Sequence, residues 1–331
     1  MATLKDVARL ACVDVSTVSR ALNNTSYVHP ETKARIFAAV KELSYQPNVL
    51  AQSLRQGKRH TIGLVVPRLN LTTFSDIVQG AEHQAREMGY AALICNTEDD
   101  PKVERECLAR LRSGFVDGIL IAGTARSGRL LRDLQSSGIA VVQIIRRQDA
   151  HISSVVADYD ACGYEAVHYL AAKGCRQIGL INGDEALAPY HDRRIGFHRA
   201  MQELGLPETT AQFLEPGDSF DYGYRCAEAL LDQNPDLDAL MAAVDVQGIG
   251  AMRALKDRGR RVPEDVRLIS LTGHSIGGLL ETPMTALEIP AREMGEKATR
   301  MLIETIEAPA DAKPAPQHLT FPAALVERES G

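Results

Sequence analysis

Apolar and polar positions alternate along the chain in two different rhythms, and the rhythm changes near residue 60. Before that point the spacing is helical. Leu4, Val7, Ala8 and Ala11 fall at i, i+3, i+4 and i+7, one apolar face of a first helix. Thr3 ahead of it and Asp6 three positions on form a capping signature, with the acid at the positive end of the helix dipole. A second helix is predicted after a tight turn, with Asp14 as N-cap, Val18, Ala21 and Leu22 inward, and Val15, Ser16, Thr17, Ser19 and Arg20 outward. A third runs from Pro30 to about Leu43, with Pro30 at the tolerated first position and Ile36, Phe37, Val40 and Leu43 packing back on the pair.

Beyond residue 60 the pattern becomes short apolar runs separated by helix-length segments. IGLVVP at 62–67, AALIC at 91–95, GILIAG at 118–123 and AVVQII at 140–145 make one set. QIGLING at 177–183, ALMAAV at 239–244 and RLISLT at 267–272 repeat it. Buried strands alternating with helices predict two parallel-sheet lobes with helices on both faces, and ligands in such lobes bind at the strand ends. A chain of 331 residues is long enough for this body beside the small head.

Charge sharpens the division. The first sixty residues hold nine Lys and Arg against four Asp and Glu, a balance of +5, whereas the whole chain is −6 and the remainder therefore −11. A basic head on an acidic body suits a protein that meets phosphates only with its head. Small hydroxyls, a valine and one arginine at a helix start can enter the major groove, where each base pair shows its own donor and acceptor pattern. Two short helices alone also fit an αα-hairpin within a core; the third helix, which closes a miniature domain, and the charge favour the DNA-reading interpretation.

MATLKDVARL, STVSRALN and YQPNVLAQSLR resemble the lactose/galactose repressor (LacI/GalR) family of bacterial transcription regulators, and the resemblance extends over nearly the whole chain. It implies a three-helix helix-turn-helix head at 1–45, a hinge helix and linker at 46–59, and an α/β periplasmic-binding-protein-like core at 60–331. The N-lobe would span about 60–158 and 290–317, and the C-lobe about 159–289 and 318–331. It also implies DNA contacts from Thr3, Val15, Ser16, Thr17, Ser19, Arg20 and Asn23, with Leu54 wedged into a minor-groove step and Arg55 on the backbone. Pro47 can start such a hinge helix, and Leu50, Ala51 and Leu54 give it one apolar side; a plain linker helix with a buried leucine is the alternative. A homodimer would present two heads to a pseudo-palindromic double-stranded operator, and a small effector in the cleft would bias the same equilibrium.

The matching cleft positions are Thr73, Phe74, Arg146, Arg193, Phe220, Asp245 and Thr272, a set suited to a sugar or sugar phosphate and less so to a nucleobase or nucleoside. Three departures from the family pattern matter. Cys12 occupies a turn position usually held by Gly or Asn, where a β-carbon costs roughly 1 kcal/mol. Asp14 replaces a serine, keeping a cap but bringing negative charge toward phosphate. After RLISLT, many sugar-responsive members carry an acid where this chain has Thr272, Gly273 and His274; two arginines without that acid favour a phosphorylated or acidic ligand.

Gly273-His274-Ser275-Ile276-Gly277 also fits the G-x-S-x-G nucleophile elbow of a serine hydrolase, with Glu288 or Asp311 and then His318 downstream. Pro283 breaks the helix that an elbow must open, so no catalytic residue is assigned. Six scattered cysteines without a C-x-x-C pair read as reduced thiols rather than metal ligands, and no cofactor motif is present. The chain shows no secretory segment or membrane-spanning run, so a cytoplasmic regulator is expected rather than an exported sugar-binding protein.

Overall fold

The computed structural model describes residues 2–23, 26–45, 59–124, 127–211, 217, 219–309 and 311–331. They form two compact units, one within residues 1–59 and one covering 60–331. The expected hinge helix, with Leu54 and Arg55, lies outside the described residues.

In the first unit α1 (Leu4–Leu10) begins with a reciprocal capping box. The Asp6 amide donates to Thr3 Oγ1 at 3.4 Å, and the Thr3 amide donates to Asp6 Oδ2 at 2.9 Å. Helices α2 (Val15–Asn23) and α3 (Pro30–Glu42) complete the bundle around Val7, Ala8, Ala11, Val18, Ala21, Ile36 and Ala39. Phe37 was expected to pack inward but is 47 % exposed. Ile36, Ala39, Val40 and Leu43 already fill the i, i+3, i+4, i+7 stripe, so Phe37 turns outward, with the Lys33 ammonium 6.0 Å from its ring centre.

The turn between α1 and α2 holds Cys12 at φ 51°, the left-handed region. Cys12→Asn, which keeps a side chain yet tolerates that region, is expected to stabilise the head by about 0.5–1 kcal/mol. Native-state hydrogen exchange at Val7, Val18 and Ala21 would slow accordingly; unchanged exchange would mean that the turn carries no strain.

The second unit contains two six-stranded sheets. The first has strands β1 (Thr61–Val66), β2 (Ala91–Asn96), β3 (Gly118–Ile121), β4 (Ala140–Ile144), β5 (Ser154–Ala157) and β11 (His318–Phe321), in the order β11-β5-β4-β3-β1-β2. The second has β6 (Ile178–Ile181), β7 (Thr209–Ala211), β8 (Ala239–Ala242), β9 (Arg267–Ser270), β10 (Thr285–Glu288) and β12 (Ala324–Val326), in the order β12-β10-β9-β8-β6-β7. Among the described residues every neighbouring pair is parallel except β10 with β12. The buried apolar runs thus take up a doubly covered parallel sheet in each lobe.

Helices α4 (Thr72–Glu87) and α11 (Ala291–Glu307) cover one face of the first sheet, and α5 (Pro101–Arg112) and α6 (Gly128–Ser136) the other. In the second lobe α7 (Tyr159–Ala172) and α8 (Ala188–Leu204) cover one face, and α9 (Phe220–Gln233) and α10 (Asp245–Asp257) the other.

One boundary needs correction. Residues from 318 onward were expected in the C-lobe, yet His318–Phe321 adds a parallel edge strand to the first sheet, with Leu319 opposite Val155. Leu319 and Phe321 lie half-buried against the first lobe's core, and the last crossing comes at Pro322 and Ala323; Ala323 packs against the cores of both lobes.

Candidate effector cleft and DNA-reading helix

The carboxyl ends of the parallel strands in the two sheets face a common cavity of about 470 Å³ that includes open solvent. Its walls come from the loops and helix starts that follow the strands: Leu71, Thr73 and Phe74 after β1, Ile145 and Arg146 after β4, Tyr159 after β5, Pro189, Tyr190 and Arg193 on α8, Val244 and Asp245 after β8, and Thr272 after β9. This is where an open α/β sheet binds ligands, because the helix starts and the chain reversals there expose unpaired backbone groups.

Arg193 is only 2 % exposed. Its guanidinium carbon lies 4.5 Å from the Tyr159 ring centre and 5.7 Å from that of Tyr190, and its Nη2 donates to Thr272 Oγ1. Its Nε has no hydrogen-bond partner among the described residues, and burial lowers the guanidinium's pKa from the usual arginine value. A buried cation without a carboxylate is costly unless a ligand answers it.

The helix that carries Arg193 is held against α7 by two glycines. A β-carbon on Gly196 would lie 1.9 Å from the Asp160 carbonyl oxygen, and one on Gly163 would lie 2.1 Å from the carbonyl oxygen of Arg193 itself. Only hydrogens fit between these backbones, so the position of Arg193 depends on both glycines.

Arg146 is also buried, but it is already matched. It pairs with Asp99 through both oxygens, Nη2 lying 3.0 Å from Oδ2, while its guanidinium carbon is 5.8 Å from the Phe74 ring centre. Ile145 at φ 64° and Asp99 at φ 58° are left-handed, a cost of about 1–2 kcal/mol each for side chains with a β-carbon. Asp245 accepts from Thr72 Oγ1 at 2.8 Å and from the Val246 amide at 2.8 Å, and burial pushes its carboxyl above the usual range. The cavity therefore presents one unmatched donor group and one buried acceptor among apolar walls.

Of the seven cleft positions expected from sequence, six line the cavity and Phe220 does not. It opens α9 on the outer layer, 55 % exposed, because Tyr222, Gly223 and Cys226 take that helix's inward stripe. Tyr159 and Tyr190, which face Arg193, were not anticipated. Tyr190 lies one helical turn before Arg193, a spacing visible in the sequence; Tyr159 follows a strand with only three consecutive apolar residues, Val155 to Ala157, which does not stand out.

In the first unit, Thr3, Val15, Ser16 and Arg20 are exposed and Thr17 and Ser19 half-buried, so the outward face of α2 is available as expected. The side chain of Asn23 lies outside the described residues. Ser275 does not sit on a nucleophile elbow: it begins a five-residue 3-10 helix, Ser275–Leu279. His318 lies in the first sheet against Ser154 Oγ at 2.8 Å and the Ala150 carbonyl at 3.0 Å, while Glu288 pairs with Arg328 at 2.6 Å. Both residues of the supposed triad are engaged elsewhere.

Two family models match the chain. Residues 3–48 match the bacterial regulatory proteins of the lacI family, and residues 59–328 match the periplasmic binding proteins and sugar-binding domain of the same family. This chain belongs to the LacI family. The ribose operon repressor of Halalkalibacterium halodurans is 32 % identical over 332 residues, covering 100 % of this chain and 97 % of that one. A transcriptional regulator CelR–cellobiose complex aligns over 100 % of both chains at 29 % identity, with a TM-score of 0.74. The lac repressor dimer bound to operator and the anti-inducer ONPF, at 24 % identity, covers 99 % of this chain and 98 % of its own; its TM-score of 0.87 speaks for the fold. As a LacI-family member the chain is a DNA-binding transcriptional regulator and not a hydrolase. Among the described residues no helix is long and apolar enough to cross a membrane, and no group of three or more His, Cys, Asp or Glu is placed to hold a metal ion.

Proposed function

We propose that this regulator represses genes of carbohydrate uptake or catabolism, binding a pseudo-palindromic operator as a homodimer in the cytoplasm, with a sugar or sugar phosphate in the interlobe cleft as its effector. The observation that carries the effector reading is Arg193, buried on two tyrosine rings at the strand ends without a carboxylate partner among the described residues. A hydroxylated ring can lie on Phe74, accept from the guanidinium and donate to Asp245. Because Asp99 already neutralises Arg146, the two arginines do not form a double anchor for a phosphate, and the cleft favours an unphosphorylated sugar over the acidic ligand expected from sequence. The names of the relatives, a ribose operon repressor and a regulator in complex with cellobiose, agree with that class.

Thr3, Val15, Ser16, Thr17, Ser19, Arg20 and Asn23 would face the major groove, with Leu54 and Arg55 at the minor groove between half-sites. The head would then be 1–45, the linker 46–59 and the effector core 60–331. Dimerisation is supported by the large apolar side chains left exposed on the core: Leu93 at 43 % and Ile94 at 44 % on the edge strand β2, and Ile276 at 44 % and Leu279 at 84 % on the 3-10 helix.

The deciding experiment selects fragments of the source genome on the purified protein at near-physiological salt, then repeats the binding with a small-molecule cell extract. One palindromic motif is expected, with binding shifted about 5-fold to 150-fold by extract, the usual range of allosteric coupling. Calorimetry with neutral sugars, sugar phosphates and nucleosides then separates the ligand classes. Salt-sensitive binding without a motif would overturn the operator reading.

A further inference from the structure

The first turns of α4 reach across the cleft to the opposite lobe at two places. Thr72 Oγ1 donates to Asp245 Oδ2 at 2.8 Å, and Asp76, one turn further along the same face of α4, lies 3.4 Å from His274 Nε2. His274 Nδ1 accepts from the Ile276 amide at 3.2 Å, which leaves Nε2 on the side of Asp76. Next to Asp245, Val246 of the second lobe is buried in the first lobe's core cluster, to which Leu71 and Phe74 also belong. Two polar contacts and one apolar one thus fasten α4 to the starts of α10 and the 3-10 helix. Thr72, Asp76 and His274 lie outside the cavity wall.

We propose that Thr72–Asp245 and Asp76–His274 act as a clasp that holds the lobes closed without effector, and that Thr72, Asp76 and His274 are positioning residues that set how readily the cleft opens. The clasp spans the two bodies whose relative motion the effector must bias, and Asp245 belongs both to it and to the cavity. A ligand that draws Asp245 toward itself competes with Thr72 for the same carboxylate. Binding and lobe opening are therefore linked through a single side chain. The link to DNA rests on the regulator reading given above; the clasp itself does not.

The test uses Asp76→Ala, His274→Asn and the double variant in the full chain. Asn in place of His274 keeps an oxygen for the Ile276 amide but is too short to reach Asp76. Hydrogen exchange is followed in the segments 71–77 and 272–277, which lie on opposite lobes. Each single variant is expected to speed exchange in both segments by about threefold to fivefold, the range open to a partly exposed polar contact, and the double variant by no more than either single. Loosening confined to the mutated residue's own segment, or additive effects in the double variant, would overturn the clasp. Operator affinity, measured on the fragment selected from the genome, is expected to change in all three variants alike. Unchanged affinity beside faster exchange would overturn the coupling to DNA. If the protein selects no fragment, the regulator reading fails while the exchange result still decides the clasp.

Discussion

Gly196→Ala is expected to cost the core about 3 kcal/mol, at the upper end of what overpacking produces, although it adds a single methyl group. The added carbon would fall 1.9 Å from the Asp160 carbonyl oxygen, with backbone on both sides and no flexible side chain to yield. Helix α8 must then move away from α7, taking Arg193 off the ring of Tyr159 while Tyr190, on α8 itself, moves with it. Urea unfolding of the full chain would show the loss, and the response of operator binding to cell extract would fall with it. An unchanged midpoint with an intact response would mean that the helices separate freely, and Arg193 would not owe its position to the glycine pair.

Arg193→Met has the opposite signature. It removes a buried cation and an Nε without a partner among the described residues, and keeps an unbranched side chain in an apolar setting. The core is expected to be as stable as before or more so, by up to about 2 kcal/mol, as when buried charged groups are replaced by apolar ones of similar size. Effector affinity is expected to drop about 100-fold, because the ligand oxygens would be left without a donor. Calorimetry with the ligand recovered from extract measures the second effect and denaturation the first. A core weakened by more than about 2 kcal/mol would identify Arg193 as a structural brace rather than a ligand group.

What the sequence revealed depended on the range of each interaction. The capping box at Thr3 and Asp6 and the left-handed turn at Cys12 are local, and both follow from residues a few positions apart. The long apolar runs that became β1, β3, β4, β6, β8 and β9 were legible because a strand covered on both faces must be apolar throughout. Strands β5 (SVVA) and β7 (TTA) offer only three and one consecutive apolar residues, too few for that signal to separate from noise. The pairing of Arg146 with Asp99 joins residues 47 apart and depends on two left-handed turns, so spacing could not show it. For the same reason the sequence suggested two free arginines where the fold leaves one. Phe220 failed for a different reason: an aromatic at a helix start has the right chemistry, but only its neighbours decide which way it points.

The interlaced ends of the two sheets bear on how the protein is made. Strand β11 and helix α11 come from residues 291–321, yet they complete the lobe that begins at residue 60. A ribosome that has just finished β5 has exposed a sheet lacking an edge strand and a helix α4 lacking the partner that buries Ile77, Ala81 and Ala85. All of the second lobe except its edge strand β12 must emerge first, which takes roughly 10–30 s at the usual rate of synthesis. The first lobe to be translated thus stays unfinished until the chain is nearly complete. During that interval its unfinished face is the stretch of the nascent chain most in need of a chaperone.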